Sequence, residues 1–131
     1  MKVIDLEDNI HSWNFSSADR LDSNKSGLHN KAREVIQKVL PNARFYEEVT
    51  IPGFKPALYA DFFIPSLKIM VEVNGQQHYK FTPRFHKDKM AYFKAVNRDK
   101  KKSEFCQKNN ICLVVFDYNN QDEWENILNA R

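Results

Sequence analysis

Ala60–Tyr79 reads ADFFIPSLKIMVEVNGQQHY, two short apolar runs that each carry one carboxylate. Ala60–Ile64 and Leu67–Val73 are rich in Phe, Ile and Val, and Pro65-Ser66 parts them, which is the pattern of a buried hairpin. Asp61 and Glu72 then fall on neighbouring strands, in sequence that otherwise admits little charge. A buried carboxylate is unfavourable unless a cation or a donor satisfies it. Two side by side call for a divalent ion, and oxygen ligands select Mg²⁺ or Mn²⁺ over zinc. The bland alternative has Asp61 capping a turn and Glu72 paired with a lysine on a sheet edge. His78 follows six residues after Glu72, and a further acid and a basic tract follow it. Together they favour a metal-dependent phosphodiesterase site, where the ion clamps a phosphate oxygen and acidifies a water.

Outward from the hairpin, Ser26 is a suitable N-cap for a helix over Gly27–Leu40, whose apolar residues recur at spacings of three and four. Arg44–Ile51 reads as a strand, and by alternation Glu47 shares a face with Val49 and Ile51 while Glu48 points the other way. Beyond the hairpin come a loop and helix over Tyr79–Arg98 and a helix over Asp99–Asn109. That helix is expected to expose Lys100, Lys101 and Lys102 and to turn Phe105 inward. A strand over Ile111–Tyr118 and a short helix over Asp122–Asn129 complete the chain. The order α-β-β-β-α-β-α predicts a single α/β domain over 26–131, a mixed β-sheet flanked by helices. Residues 1–25 read as an irregular arm, in which Trp13 either plugs the surface of the core or belongs to an arm that reaches DNA.

At 131 residues the chain suits one domain with a real core, and 42% hydrophobic residues exclude a disordered polymer. No run has the length of a membrane span and no signal-peptide core is visible, so a cytoplasmic protein with no membrane partner is expected. Cys106 and Cys112 lack a C-x-x-C spacing and are expected to be reduced and inert, on a helix and in a strand. Three glycines leave no room for a phosphate-cradling loop. His29 and His86 could each be read as ligands, yet a lone histidine on a helix or loop is more often ordinary surface, and His11 lies in the arm with no obvious partner.

Charge is segregated. Lys80, Arg84, Lys87, Lys89, Lys94, Arg98, Lys100, Lys101 and Lys102 face only Asp88 and Asp99, a net +7 in one segment against −4 elsewhere. Positive charge beside a carboxylate site suits a polyanion such as DNA. The aromatics among these residues, Tyr79, Phe81, Phe85, Tyr92 and Phe93, fit an inward stripe better than base stacking.

Taken together these residues resemble the PD-(D/E)XK nuclease superfamily. The branch most similar holds the very short patch repair endonucleases and the phage homing endonucleases with an E-D-x-H-D constellation. The matching pieces are Glu47-Glu48, Ala60-Asp61-Phe62-Phe63 with Pro65, Val71 to His78, Arg98-Asp99 opening a Lys-rich helix, and Asn110 to Val114. With the helix begun by Leu28-His29, the resemblance covers roughly residues 25 to 128.

It implies a restriction-endonuclease-like fold and a metal-dependent DNA endonuclease or nickase, phage-borne or otherwise mobile, using Mg²⁺ or Mn²⁺. Asp61 would be the principal metal ligand and Glu72 a second. Glu47 or Glu48 would complete the metal shell. His78 would serve as general base or phosphate-stabilising acid, Asp99 would approach it or the metal, and Gln77 would bond the scissile phosphate. The nine basic residues would clamp the DNA backbone. The superfamily's lysine, two residues after the acid, is Asn74 here, so His78 or a lysine of the basic segment must replace it. Without a replacement, the chain would be a catalytically silent DNA-binding module. An endoribonuclease is a third reading. A monomer or weak homodimer is expected, with a phage or replication protein as a possible partner of the arm.

Overall fold

Alternation along one strand shows how the layers stack. The computed structural model describes residues 1–15, 27–75 and 89–131. In strand β5 (Ile69–Asn74), Met70 packs with one hydrophobic cluster, while Ile69 and Val71 pack with another, so the clusters lie on opposite faces of the sheet. The sheet has the order β3 (Tyr46–Ile51), β4 (Leu58–Ile64), β5 and β6 (Cys112–Asp117). Neighbours pair antiparallel except β5 and β6, which are parallel and joined by the crossover helix α2 (Lys89–Lys108). One face carries α1 (Gly27–Val39) and α3 (Trp124–Asn129), through Ala32, Ile36, Trp124 and Leu128. The other carries α2, through Phe105 and Cys106. The expected α/β class and the mixed, helix-flanked sheet are what the chain forms.

Two elements differ from expectation. The loop-and-helix over Tyr79–Arg98 and the helix after it share one continuous helix, since nothing between Lys89 and Lys108 breaks it: no Pro or Gly occurs there. The expected irregular lead-in holds an antiparallel hairpin, β1 (Lys2–Ile4) with β2 (Ile10–Ser12). Val3 and Trp13 insert into the α2-side core, which settles Trp13 as a plug. Asn109, just past α2, accepts from the Ile4 N–H at 2.7 Å and donates to the Ile4 carbonyl at 2.8 Å, serving as a strand partner for β1.

Asp5 closes the hairpin turn. One of its oxygens accepts the Glu7 and Asn9 N–H groups at 2.9 Å, and the other meets His11 Nε2 at 2.7 Å. Gly53 passes over this carboxylate at φ +90°, where a Cβ would lie 2.5 Å from the Asp5 Cβ, so only glycine fits. The bond from His11, with those from the backbone, holds the Asp5 carboxyl down at about 2. A depressed folded-state pKa stabilises above the unfolded value, 3.8, and that stability is lost as pH falls towards 2. We expect the melting temperature of Asp5→Asn to lie below that of the native chain at pH 5. The gap should narrow in melts recorded from pH 4 to pH 2.

Candidate active site

The site forms where two strands change face together. Along β4, Leu58 and Ala60 pack on the α2 side, but Phe62 and Ile64 pack on the α1 side. Along β3, Val49 and Ile51 face α2, whereas Glu47 bonds to residues of α1. The register pairs Glu47 with Phe62 and Val49 with Ala60, which sets Glu48 opposite Asp61 at the switch. Glu48 takes φ +54°, a left-handed conformation rare for a non-glycine residue, and this breaks the alternation. Strained backbone of this kind concentrates at functional sites. The expectation that Glu47 shares a face with Val49 and Ile51 is therefore corrected.

This switch decides which acid joins Asp61. Glu47 is buried under α1, where Arg33 grips it with Nε and a terminal nitrogen, both at 2.8 Å, and His29 Nε2 lies 2.7 Å away. With its oxygens so engaged, Glu47 is not placed as a metal ligand. Glu48 is: one ligand atom each from His29, Glu48 and Asp61 lie within 4.8 Å of one another. Ligands about 2.1 Å from an octahedral ion stand at most about 4.2 Å apart, so small side-chain movements would let the three share one cation. Two carboxylates and an imidazole fit a divalent ion in donor chemistry as well.

His29 was expected at the surface. Instead it is buried and stacks on Phe62, with ring centroids 4.4 Å apart. The signal was in the sequence: His29, Ala32 and Ile36 follow one another at spacings of three and four, along the buried stripe of α1.

Asp61 and Glu72 meet as expected. Their strands pair through Phe62 and Val71, and at the next step the two carboxylates replace the backbone ladder. The Asp61 N–H donates to Glu72 Oε2 at 3.0 Å, and the Val73 N–H donates to Asp61 Oδ2 at 2.9 Å. Burial pushes the Asp61 carboxyl upward, and Glu48 adds to the effect. Burial, then the Asp61 charge, pushes Glu72 up to about 7.

Lys102 replaces solvent as the partner of Glu72. Expected on the exposed side of its helix, it turns inward with Phe105 and Cys106, three and four residues on, and its Nζ lies 2.7 Å from Glu72 Oε1. Although burial opposes it, the Glu72 charge keeps the ammonium above its usual pKa, and Asp99, one turn earlier on α2, contributes. The alternative of a Glu72–lysine pair at a sheet edge is met in the pairing alone, because β5 is an interior strand. Asn74, at the end of β5, pairs with Asp117 of β6.

Of the remaining site expectations, Gln77, His78, Lys80, Arg84 and Lys87 lie outside the described residues. Lys89, Lys94, Arg98 and Lys100 are exposed on α2, and Lys101 is half-buried. Phe93, expected inward, is exposed along with Met90 and Val96. Cys106 is buried and Cys112 exposed, both as free thiols.

No protein-family model matches this chain, and no solved structure matches it. Two viral proteins are similar. The chain is 45% identical over 65 residues to "Uncharacterized protein 307L" of Invertebrate iridescent virus 6, a match that covers 50% of this chain and 33% of that protein. It is 30% identical over 121 residues to "Uncharacterized protein 033L" of Invertebrate iridescent virus 3, covering 82% of this chain and 60% of that protein. The chain thus spans between a third and three fifths of the length of these curated relatives. Among the described residues, no helix is long and apolar enough to cross a membrane.

Proposed function

We propose that this protein is a metal-dependent nuclease that hydrolyses phosphodiester bonds in DNA, acting in the cytoplasm of an infected cell. The observation that carries the reading is the convergence of Asp61, Glu48 and His29 at a strained strand switch, with the Glu72–Lys102 pair directly beside them. Asp61 and Glu48, with His29, would hold a divalent ion such as Mg²⁺ or Mn²⁺, which when bound polarises a phosphate oxygen and makes water more acidic. The protein's own groups supply the rest. Lys102, beside Glu72, would offer a cation to the charge that grows on the phosphate, the task that Asn74 leaves undone. Glu72, poised near neutrality, would take or return a proton beside it. This lysine weighs against the silent-module reading.

The exposed part of α2 supports a nucleic-acid substrate. Lys94, Arg98 and Lys101 recur at spacings of four and three, a basic stripe beside the exposed Phe93, which suits phosphates flanked by stacked bases. Replacing Lys94, Arg98 and Lys101 together by Glu should weaken DNA binding and reduce the slope of log K against log salt by about 0.9 per lost phosphate contact. A slope equal to that of the native chain would show this stripe to be merely solvated. Lys102 is left out of this set because it holds Glu72. The similar proteins are viral, which supports a virus-borne gene but not specifically the phage origin expected from sequence.

The test is supercoiled plasmid incubated with the protein in Mg²⁺, Mn²⁺ or EDTA. Conversion to nicked circles in metal alone is expected for one site per chain, and direct linearisation would indicate paired sites. No conversion in either ion, with RNA also left intact, would overturn the proposal.

A further inference from the structure

Glu47 is the site-proximal acid that the phosphodiesterase reading leaves without a task. It is 3% exposed, and a bidentate Arg33 fork and His29 surround its two oxygens. A guanidinium donating to both oxygens leaves Glu47 only the part of acceptor, so at 2.7 Å it accepts a hydrogen bond from the His29 Nε2–H. A neutral imidazole with its proton on Nε2 presents a lone pair at Nδ1. The ring is held in place by its stack on Phe62 and lies against Glu48 and Asp61. A carboxylate behind a histidine is the arrangement that fixes tautomer and ring angle for a metal-ligating imidazole.

We infer that His29 ligates the ion through Nδ1, that Glu47 and Arg33 position it, and that this nitrogen makes the site prefer Mn²⁺ and later first-row divalent ions over Mg²⁺. The inference rests on the metal site of the proposed function and specifies its metal class. Mg²⁺ favours an all-oxygen shell and keeps its waters, whereas an imidazole strengthens binding of transition ions. Arg33 matters because its two-point grip fixes the Glu47 carboxylate behind the His29 ring.

The direct test needs no substrate. The native chain is titrated with Mn²⁺ alone, followed by the loss of the free-ion electron paramagnetic resonance signal, and Mg²⁺ is then added as competitor. Mn²⁺ should bind at least tenfold more tightly than Mg²⁺, and pulsed spectra of the bound Mn²⁺ should show coupling to a directly ligated ¹⁴N. His29→Gln should weaken Mn²⁺ about 10- to 100-fold while changing Mg²⁺ far less, and Glu47→Gln should weaken Mn²⁺ in the same direction. Glu47→Gln leaves Arg33 without its charge partner and is liable to unfold, so the ¹⁴N coupling in the native chain is the deciding readout. Bound Mn²⁺ without that coupling, or equal affinities for the two ions, would overturn the inference and leave the metal site standing. Failure of both ions to bind would overturn the inference and the metal site together.

Discussion

Asp61→Asn should abolish metal-dependent cleavage, slowing it on the order of 10³-fold or more, while the protein stays folded. A bound ion supplies several kcal/mol of stabilisation to a phosphoryl transition state, and each 1.36 kcal/mol is about tenfold in rate. Asp61 is the acid placed to contribute most, since it belongs to the candidate ligand group and its N–H also bonds Glu72. Asn is the informative replacement because its amide oxygen can still accept the Val73 N–H that Asp61 Oδ2 accepts at 2.9 Å. Asp61→Ala would leave that donor unsatisfied and lose about 1–3 kcal/mol of stability besides. The amide also removes a negative charge that helps to raise Glu72, so the metal-free variant should be no less stable than the native chain. Single-turnover cleavage of a labelled duplex in Mn²⁺, with a thermal melt of the same sample, checks both statements. Native rates from a folded Asp61→Asn would remove Asp61 from the site.

The hairpin that carries Asp61 was legible because its strands are short, apolar and bounded by Pro and Ser, and α1 because its apolar spacing is regular. Glu48 was not, because its left-handed conformation has no glycine to announce it, and strict alternation then assigned Glu47 to the wrong face. Lys102 was misplaced for a different reason. A run of three lysines suggests solvent, yet Phe105 and Cys106 already marked the buried side of α2, and Lys102 precedes them by three and four residues. Its charge reaches inward only because Glu72, from a central strand, is there to meet it. Tertiary partners of that kind are invisible to any local pattern, as is the bond of His29 to Glu47, 18 residues away. The strands β1 and β2 are three residues each, too short for a period to show.

Trp13→Ala should be the most destabilising single change in that N-terminal hairpin, at about 3–5 kcal/mol. The indole is 3% exposed and stacks on Phe63 with centroids 4.5 Å apart, with Phe15 at 4.9 Å and the edge of Phe105 at 5.7 Å. Its ring N–H finds no acceptor among the described residues, so the loss is of packing alone, with no broken hydrogen bond to confuse it. Against a total stability of about 5–15 kcal/mol for a domain of this kind, that is a large share. A fall in melting temperature of roughly 10–20 °C follows. Trp13→Phe keeps an aromatic ring in the stack and should recover much of it. An arm residue reaching for DNA would behave in the opposite way, with an unchanged melt and weakened binding. Stability and affinity measured on the same two variants therefore separate a core plug from a contact residue. Because Trp13 touches Phe63, on the strand that carries Asp61, and Phe105, on the helix that carries Lys102, Trp13→Ala should also slow cleavage without altering which metal supports it.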